Sequence, residues 1–190
     1  MIRAVLIGEL EVALDVGQKL DSLGVTWLVG GSVASSILGE PRATADVDLV
    51  ADLRGRHVSA LFAALVDTYY IDEDAAKAAV RERGAFNVIQ LASMTKVDIY
   101  CSADEPLARE ELQRRIFVDV DGQKIPCASA EDIILQKLLW FVGGGGVSDR
   151  QWRDIRGVIK VQGEALDRGY LERHATSHGV LDLLHRALDG

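Results

Sequence analysis

Helical and strand-like hydrophobic patterns alternate through the first 127 residues. Helices are predicted over 9–23, 57–68, 72–83 and 105–114, with a short small-residue helix over 33–38. Runs rich in β-branched and aromatic residues predict strands over 25–29, 46–51, 86–91, 95–101, 116–120 and 123–127. The spacing of residues 92–94 suits a hairpin between two of these strands. Asp121-Gly122 is the strongest short hairpin signal in the chain.

From Ser129 onward the pattern is helical throughout. Ser129 with Asp132, and Ser148 with Gln151, have the spacing of helix-capping pairs. Residues 143–146 are four consecutive glycines, too flexible to continue a helix. The sequence therefore predicts an α+β fold with an α/β-like core over 1–127 and a helical region over 128–190.

Composition and charge narrow the function classes. The chain has 190 residues, 48% of them hydrophobic and 26% charged, as in ordinary soluble folded proteins. No apolar run reaches the ~18 residues that span a bilayer, and no export signal is expected at the N-terminus. The net charge of −8 disfavours general nucleic-acid binding, so an RNA partner would need a local basic patch.

The two cysteines, Cys101 and Cys127, have neither a disulfide framework nor the spacing of metal ligands. Both are expected to be reduced. With no membrane segment expected, this predicts a cytoplasmic protein.

Asp46-Val47-Asp48-Leu49 is the first motif with chemistry. Side chains at i and i+2 of a strand share a face, so both carboxylates project together while Val47 and Leu49 enter the core. Two carboxylates this close repel each other unless a cation lies between them, and Mg²⁺ prefers oxygen ligands. The other interpretation is a strand end carrying two solvated acids.

Gly30-Gly31-Ser32 lies between a predicted strand and a predicted helix. Unpaired backbone N–H groups at a helix N-terminus favour a phosphate, and glycine lets the phosphate approach the backbone. The Ser32 hydroxyl can donate one more hydrogen bond. Taken alone, such a turn can simply be a helix start.

Lys96-Val97-Asp98-Ile99-Tyr100 supplies a third acid. Val97 and Ile99 should face the core, which places Asp98 on the same side as Lys96 and Tyr100. A third carboxylate on a neighbouring strand would complete a two-metal site for phosphoryl transfer. Alternatively, Asp98 is a surface acid paired with Lys96.

These motifs resemble a known signature. Gly30-Gly31-Ser32, then Gly39, Arg42 and Thr44, then Asp46-Val-Asp48-Leu49, is similar to the signature of polymerase-β-like nucleotidyltransferases. The helical half, with Lys137 on one helix and Arg153-Asp154 on the next, resembles the AbiEii-type nucleotidyltransferase toxins. The resemblance implies a nucleotidyltransferase fold with a mixed β-sheet flanked by helices.

The resemblance also implies residue roles. Asp46, Asp48 and Asp98 would hold two Mg²⁺ ions, and Asp98 would help to activate the attacking hydroxyl. The NTP would be bound by the turn at Gly30, Gly31 and Ser32, by Lys137, and by Asp154, which either contacts the nucleotide or tunes Lys137. Arg42 and Thr44 would line the nucleotide site, although Thr44 could equally be a turn residue.

The helical half carries further candidates. Arg150, Arg153, Arg156 and Lys160 recur along one side of a helix, either as a patch for an RNA backbone or as a solvated face. Lys137 lies in an otherwise apolar helix, where a lysine is costly unless it is paired, so it is expected to extend to solvent or to meet a phosphate. The three tryptophans, Trp27, Trp140 and Trp152, are interpreted as packing residues.

The sequence thus predicts a Mg²⁺-dependent enzyme that moves a nucleoside monophosphate from an NTP to an acceptor. The acceptor could be RNA such as tRNA, a protein hydroxyl or a small molecule of the aminoglycoside type. The toxin resemblance would add an antitoxin partner. A catalytically silent nucleotide- or partner-binding module on the same fold is the rival hypothesis, and a pure nucleic-acid-binding module is disfavoured by the charge.

Overall fold

The computed structural model describes residues 3–102, 106–120 and 122–189. Strands and helices alternate over the first two thirds of the chain, and helices alone follow. In chain order they are α1 (Arg3–Ser22), β1 (Trp27–Val29), α2 (Gly31–Leu38), β2 (Asp46–Ala51), α3 (Gly55–Leu65), β3 (Tyr69–Ile71), α4 (Glu73–Glu82), β4 (Ala85–Gln90), β5 (Lys96–Cys101), α5 (Pro106–Arg114), β6 (Ile116–Val120), β7 (Gln123–Cys127), α6 (Ala130–Gly143), α7 (Asp149–Gln162), α8 (Arg168–Ser177) and α9 (Leu181–Asp189).

The strands form a mixed seven-stranded sheet in the order β3-β4-β5-β2-β1-β7-β6. β2 is parallel to β5 and antiparallel to β1, and β1 is parallel to β7. The predicted α+β class and both predicted hairpins, β4–β5 and β6–β7, are confirmed. Asp121 in the second hairpin turn, and Glu105 at the predicted start of α5, lie outside the described residues.

Two predicted boundaries were wrong by three residues or more. Helix α1 begins six residues before the predicted Glu9, since the single Gly8 is tolerated inside a helix. The helix predicted over 57–68 ends at Leu65, and the short strand β3 follows it, where no strand was predicted. Three residues are too few to show a period-2 pattern, so only pairing with β4 reveals this strand.

The two faces of the sheet are covered differently. On one face, α1 packs closely: the Tyr69 hydroxyl donates to Asp15 Oδ2 at 2.7 Å, and Trp27 Nε1 donates to Asp21 Oδ1 at 2.8 Å. The opposite face is covered by α2 and α6 over β1 and β2. Leu28 and Val50 on that face are buried in the same apolar core as Ile134 of α6. The predicted division at residue 127 falls where strands give way to helices, and the core continues across it.

The predicted caps begin the two helices that flank the site. The Asp132 N–H donates to Ser129 Oγ at 3.2 Å, and the Gln151 N–H donates to Ser148 Oγ at 3.4 Å. Helix α6 ends at Gly143, the first of the four glycines. Among the described residues, no helix combines the length and the apolarity needed to cross a membrane.

Gly17 sets how closely α1 approaches the sheet. A Cβ at this position would overlap the ring of Trp27, which is buried and fixed by its hydrogen bond to Asp21. We expect Gly17→Ala to lower the free energy of unfolding by roughly 1–3 kcal/mol through overpacking. The matched control is Gly8→Ala in the same helix, where a Cβ meets no atom within 4 Å. Gly8→Ala should be neutral or stabilising, as measured by urea unfolding. Equal effects of the two changes would contradict the tight packing.

Candidate active site

The register between β2 and β5 brings the predicted carboxylates together. Asp48 lies opposite Asp98, and Asp46 lies opposite Lys96, so all four side chains share one face of the sheet. Lys96 Nζ lies 2.7 Å from Asp98 Oδ2 and 3.9 Å from Asp46 Oδ1. The ion pair considered for Asp98 is therefore present, and it lies inside the carboxylate cluster.

The carboxylate chemistry fits a divalent cation, and Lys96 occupies part of the space. Among the residues that the structure describes, no three His, Cys, Asp or Glu side chains converge into a finished metal site. Carboxylate oxygens are nevertheless the ligands that Mg²⁺ prefers, and the Lys96 ammonium already contributes a positive charge between two of them. Asp46, Asp48 and Asp98 are the residues that would hold such an ion, and Lys96 would have to leave Asp98 for them to do so.

The N-terminus of α2 lies directly against Asp48. Gly30 is the N-cap residue, and its N–H donates to the Asp48 backbone oxygen at 2.9 Å. The Ser32 N–H donates to Asp48 Oδ2 at 3.4 Å. Gly31 has φ +55°, and a Cβ there would overlap the Asp48 carboxylate, so both the backbone and the space require glycine. The start of α2 thus directs backbone N–H groups at Asp48, within the carboxylate cluster.

Arg42, Asp154 and Lys137 form a buried charge network behind this turn. Arg42 binds Asp154 through both oxygens, with Nε–Oδ1 at 2.7 Å and Nη2–Oδ2 at 2.8 Å, and donates to Ser32 Oγ at 2.6 Å. Lys137 Nζ donates to Asp154 Oδ2 at 2.8 Å and to Gln151 Oε1 at 3.0 Å. Its side chain is only 1% exposed. The network links the predicted phosphate turn to α6 and α7.

The pKa shifts in this region follow burial and charge. Burial raises the pKa of Asp48, and the nearby Asp98 and Asp46 charges add to that effect. Burial lowers the pKa of Lys137, although Asp154 opposes this. Burial also raises the pKa of Asp154, but the hydrogen bonds and charges of Arg42 and Lys137 outweigh it, and the net pKa is lowered. Asp154 is thus an ionised partner for two cations, whereas burial and the neighbouring carboxylates disfavour the ionised form of Asp48.

A cleft of about 660 Å³ opens beside Asp46, between the 42–46 segment and the start of α7. It contains the predicted Arg42 and Thr44 and two cations of the predicted basic helix face. Thr44 Oγ1 donates to the Asp46 backbone oxygen at 3.3 Å, as a turn residue does. The lining residues are Arg42, Ala43, Thr44, Ala45, Asp46, Asp149, Arg150 and Arg153.

Glu111 is a buried acid near the site that sequence reasoning missed. Gln136 of α6 donates to Glu111 Oε1 at 2.6 Å, and Gln136 lies beside Gly30. Burial, with the charge of Asp132, raises the pKa of Glu111 to about 8. An isolated Glu in an amphipathic helix gives no sequence signal of burial, because the helices that cover it come later in the chain.

Three further residues near the site, Gln151, Tyr100 and Trp140, were also missed or interpreted differently from the sequence. Gln151 was predicted only as a cap residue, yet its side chain binds Lys137. Tyr100 was placed only on the Asp98 face, and its ring lies 6.0 Å from that of Trp140. Trp140, interpreted as a packing residue, is 36% exposed. The i+2 spacing of Asp98 and Tyr100, which places both side chains on one face of the sheet, was the one sequence signal that could have identified any of these three residues.

Solved structures share this architecture over nearly the whole chain. The antibiotic-resistance factor ANT(2'')-Ia matches with a TM-score of 0.55 at 13% identity, covering 95% of this chain and 98% of that chain. The lincosamide antibiotic adenylyltransferase LnuA, bound to lincomycin, matches with a TM-score of 0.55 at 17% identity, covering 83% and 98%.

A third match is an antigenic nucleotidyltransferase-like protein from Paracoccidioides brasiliensis, with a TM-score of 0.54 at 19% identity, covering 96% of this chain and 93% of that chain. No protein-family model and no curated protein matches the sequence. These likenesses confirm the predicted nucleotidyltransferase fold, and at such low identity they establish the fold alone.

Asp154→Asn tests the charge network. The change leaves Arg42 and the buried Lys137 without a counter-charge, so we expect the free energy of unfolding to fall by roughly 3 kcal/mol. The pKa of Lys137 in the folded protein would then be lowered further. The loss of unfolding free energy should therefore shrink as the pH rises toward the pKa of Lys137 in the unfolded chain. The exposed Asp149→Asn in the same helix is the control and should cost less than about 1 kcal/mol. A loss for Asp154→Asn no larger than the control would contradict the network.

Glu111 should make stability depend on pH. A carboxyl whose folded pKa is raised to about 8 gives stability that is complete below its unfolded pKa and is lost as the pH rises through 8. Between pH 6 and pH 8.5 we expect the unfolding free energy of the wild-type protein to fall by on the order of 2 kcal/mol. Glu111→Gln should remove this decline. The exposed Glu82→Gln serves as the control in urea titrations at both pH values. An unchanged pH profile in Glu111→Gln would contradict this assignment.

Proposed function

We propose that this protein is a Mg²⁺-dependent nucleotidyltransferase, which moves a nucleoside monophosphate from an NTP to an acceptor hydroxyl and releases pyrophosphate. One observation carries the proposal. Asp46, Asp48 and Asp98 share one sheet face at the N-terminus of α2, where Gly31 is required by both backbone and space. The shared fold with nucleotidyltransferases supports it.

Two Mg²⁺ ions would be held by Asp46, Asp48 and Asp98. When bound, they would supply charge neutralisation for the attacking oxygen, the α-phosphate and the leaving pyrophosphate. The raised pKa of Asp48 supports this assignment, because burial and the neighbouring carboxylates disfavour its ionised form, which a bound cation would stabilise. In the same complex, Lys96 would release Asp98 and become available to solvent or substrate.

The triphosphate would bind where α2 begins. The N–H groups of Gly31 and Ser32 would donate to phosphate oxygens, assisted by the helix dipole. Arg42 is placed by Asp154 and already reaches Ser32 Oγ, so a small movement would bring it to a phosphate. Arg150 and Arg153 line the same cleft. Lys137 would contribute a buried positive charge near Asp48.

The transfer step then uses Asp98 as a proton acceptor. The acceptor oxygen attacks the α-phosphorus, and a new O–P bond forms as its proton passes to the Asp98 carboxylate. The bond from the α-phosphorus to the bridging oxygen breaks, and pyrophosphate leaves with that electron pair. Asp154 positions Arg42 and Lys137 without contacting the reacting atoms.

The toxin resemblance narrows the proposal further. The Lys137–Asp154 pair at 2.8 Å brings together the residues on which the resemblance to AbiEii-type toxins rests. On that basis the acceptor would be an RNA such as tRNA, and an antitoxin would restrain the enzyme in the cytoplasm. The rival acceptor is a small molecule: ANT(2'')-Ia has been solved with adenylyl-2''-tobramycin, and LnuA with lincomycin.

Labelled transfer tests the proposed activity. With Mg²⁺ and α-³²P-labelled ATP, CTP, GTP or UTP, we expect label to enter one of three pools: RNA, protein or small molecules. Asp46→Asn and Asp98→Asn should each lower this transfer by at least ~10²-fold, because each removes charge stabilisation at the reacting phosphate.

Asp52→Asn is the matched control. Asp52 follows the far end of β2, where it pairs with Arg54 at 2.7 Å. Transfer by this variant should stay within about twofold of wild type, because surface ion pairs contribute little. Label in RNA would support the toxin class, and label in a small molecule would support the rival acceptor. Absence of both transfer and Mg²⁺-dependent NTP binding would leave a catalytically silent module.

A further inference from the structure

Two neighbouring clefts form one path along helix α7, which we call the α7 path. The cleft of about 660 Å³ beside Asp46 shares Asp149 and Arg153 with a second cleft of about 540 Å³. The second cleft continues along α7, where Arg156 and Lys160 line it, and it borders helix α9. A long ligand that lies in the α7 path would therefore have one end beside the carboxylate cluster.

Three arginines of the α7 path carry positive charge that the protein does not neutralise. Arg150 lines the first cleft, Arg156 lines the second, and Arg153 lines both. All three residues are exposed. Within the part of the chain that the structure describes, none of them forms an ion pair or a side-chain hydrogen bond. In a protein whose net charge is −8, three unpaired cations on one side of a helix indicate an anionic partner.

The acids beside the α7 path leave this positive charge in excess. Glu40 is paired with Lys160, whose Nζ lies 2.6 Å from Glu40 Oε1, so these two charges compensate each other. Asp149 is the first residue of α7, where the helix N-terminus stabilises a carboxylate. At the far end of the path, the exposed Arg186 of α9 lies over the ring of Trp152, 4.7 Å from its centroid, and adds a fourth cation.

The spacing of the arginines fits a chain of phosphates. From Arg150 to Arg156 the axis of α7 rises by ~9 Å. A stacked nucleic-acid strand carries about three phosphates over this length, at ~3.4 Å for each nucleotide. The planar guanidinium of arginine can donate two parallel hydrogen bonds to a phosphate. A single phosphate would occupy only one part of the path, whereas an RNA strand can contact all three arginines.

We propose that the α7 path is the docking surface for the single-stranded 3′ end of an RNA acceptor. The terminal hydroxyl of the RNA reaches Asp98, and the preceding phosphates follow Arg153 and Arg156 toward α9. This inference rests on the proposed nucleotidyltransferase function and names the surface that holds its RNA acceptor. The triphosphate lies on the Arg42 side of the first cleft, against α2, and the RNA lies on the α7 side. Because these contacts are made to phosphates, they select no base sequence.

RNA binding without nucleotide or Mg²⁺ tests the surface independently of turnover. The probe is an oligouridylate labelled with fluorescein at its 5′ end, titrated by fluorescence anisotropy at several salt concentrations. Each phosphate that a cation neutralises adds about 0.7 to the slope of log K against log salt concentration for a single strand. We therefore expect the Arg153→Gln/Arg156→Gln double variant to lower this slope by about 1.4 and to weaken binding severalfold.

Single variants at Arg156 separate RNA binding from NTP binding, because Arg156 lines the second cleft and is absent from the lining of the first. Arg156→Gln should lower the slope by about 0.7, and Arg156→Lys, which keeps the charge, should preserve the slope. The matched control is Arg56→Gln, an exposed arginine at the start of α3, which should leave the slope unchanged. In transfer assays, Arg156→Gln should raise the KM for an RNA acceptor and leave the KM for NTP unchanged.

Several results would overturn the surface assignment. They are no RNA binding at low salt, an unchanged slope in the double variant, and a loss of slope in Arg56→Gln as large as that in Arg156→Gln. A decaglutamate peptide that binds as tightly as the RNA would assign the α7 path to an acidic protein instead. Failure of the proposed function is separate, since it appears as absence of Mg²⁺-dependent NTP binding and of labelled transfer while the RNA titrations are unaffected.

Discussion

The approach of helix α2 to Asp48 is the constraint on which the site depends. Gly30 is tied to the β2 backbone at 2.9 Å, and Gly31 takes a left-handed conformation with no room for a side chain. These contacts hold the helix N-terminus and the carboxylate within hydrogen-bond range. In the proposed function, the phosphate-binding N–H groups and the metal-binding carboxylates would therefore serve the same triphosphate, and a larger residue at Gly31 would separate them.

The second organising interaction is the buried charge network at Asp154. Arg42 and Asp154 are 112 residues apart in sequence, yet they form a bidentate ion pair. Lys137 would be costly to bury alone, and Asp154 with Gln151 makes its burial tolerable. The helical C-terminal region thus completes the site begun by the sheet.

The helices cover the site face of the sheet unevenly. Helices α2 and α6 close the face over β1 and β2, where the NTP would be held by fixed groups. On the same face of β3 and β4, Tyr70 and Asn87 are exposed. Asp98 and Tyr100 lie on β5, between the covered and the open part of the face.

The sequence by itself determined the local features. Asp46 and Asp48 share a face because side chains in a strand alternate with period 2. Gly30-Gly31 ends a strand and leads into a helix, because glycine readily adopts the backbone conformation of a turn. The caps at Ser129 and Ser148 and the two hairpins follow from patterns a few residues long, and the fold class follows from the order of these elements.

Only the tertiary structure decided what depends on distant residues. It set the register that places Asp98 beside Asp48, the pairing of Arg42 and Lys137 with Asp154, the strand β3, the burial of Glu111 and the exposure of Trp140. Propensity and period act over a few residues, whereas register, burial and charge pairing are fixed by contacts between segments far apart in the chain.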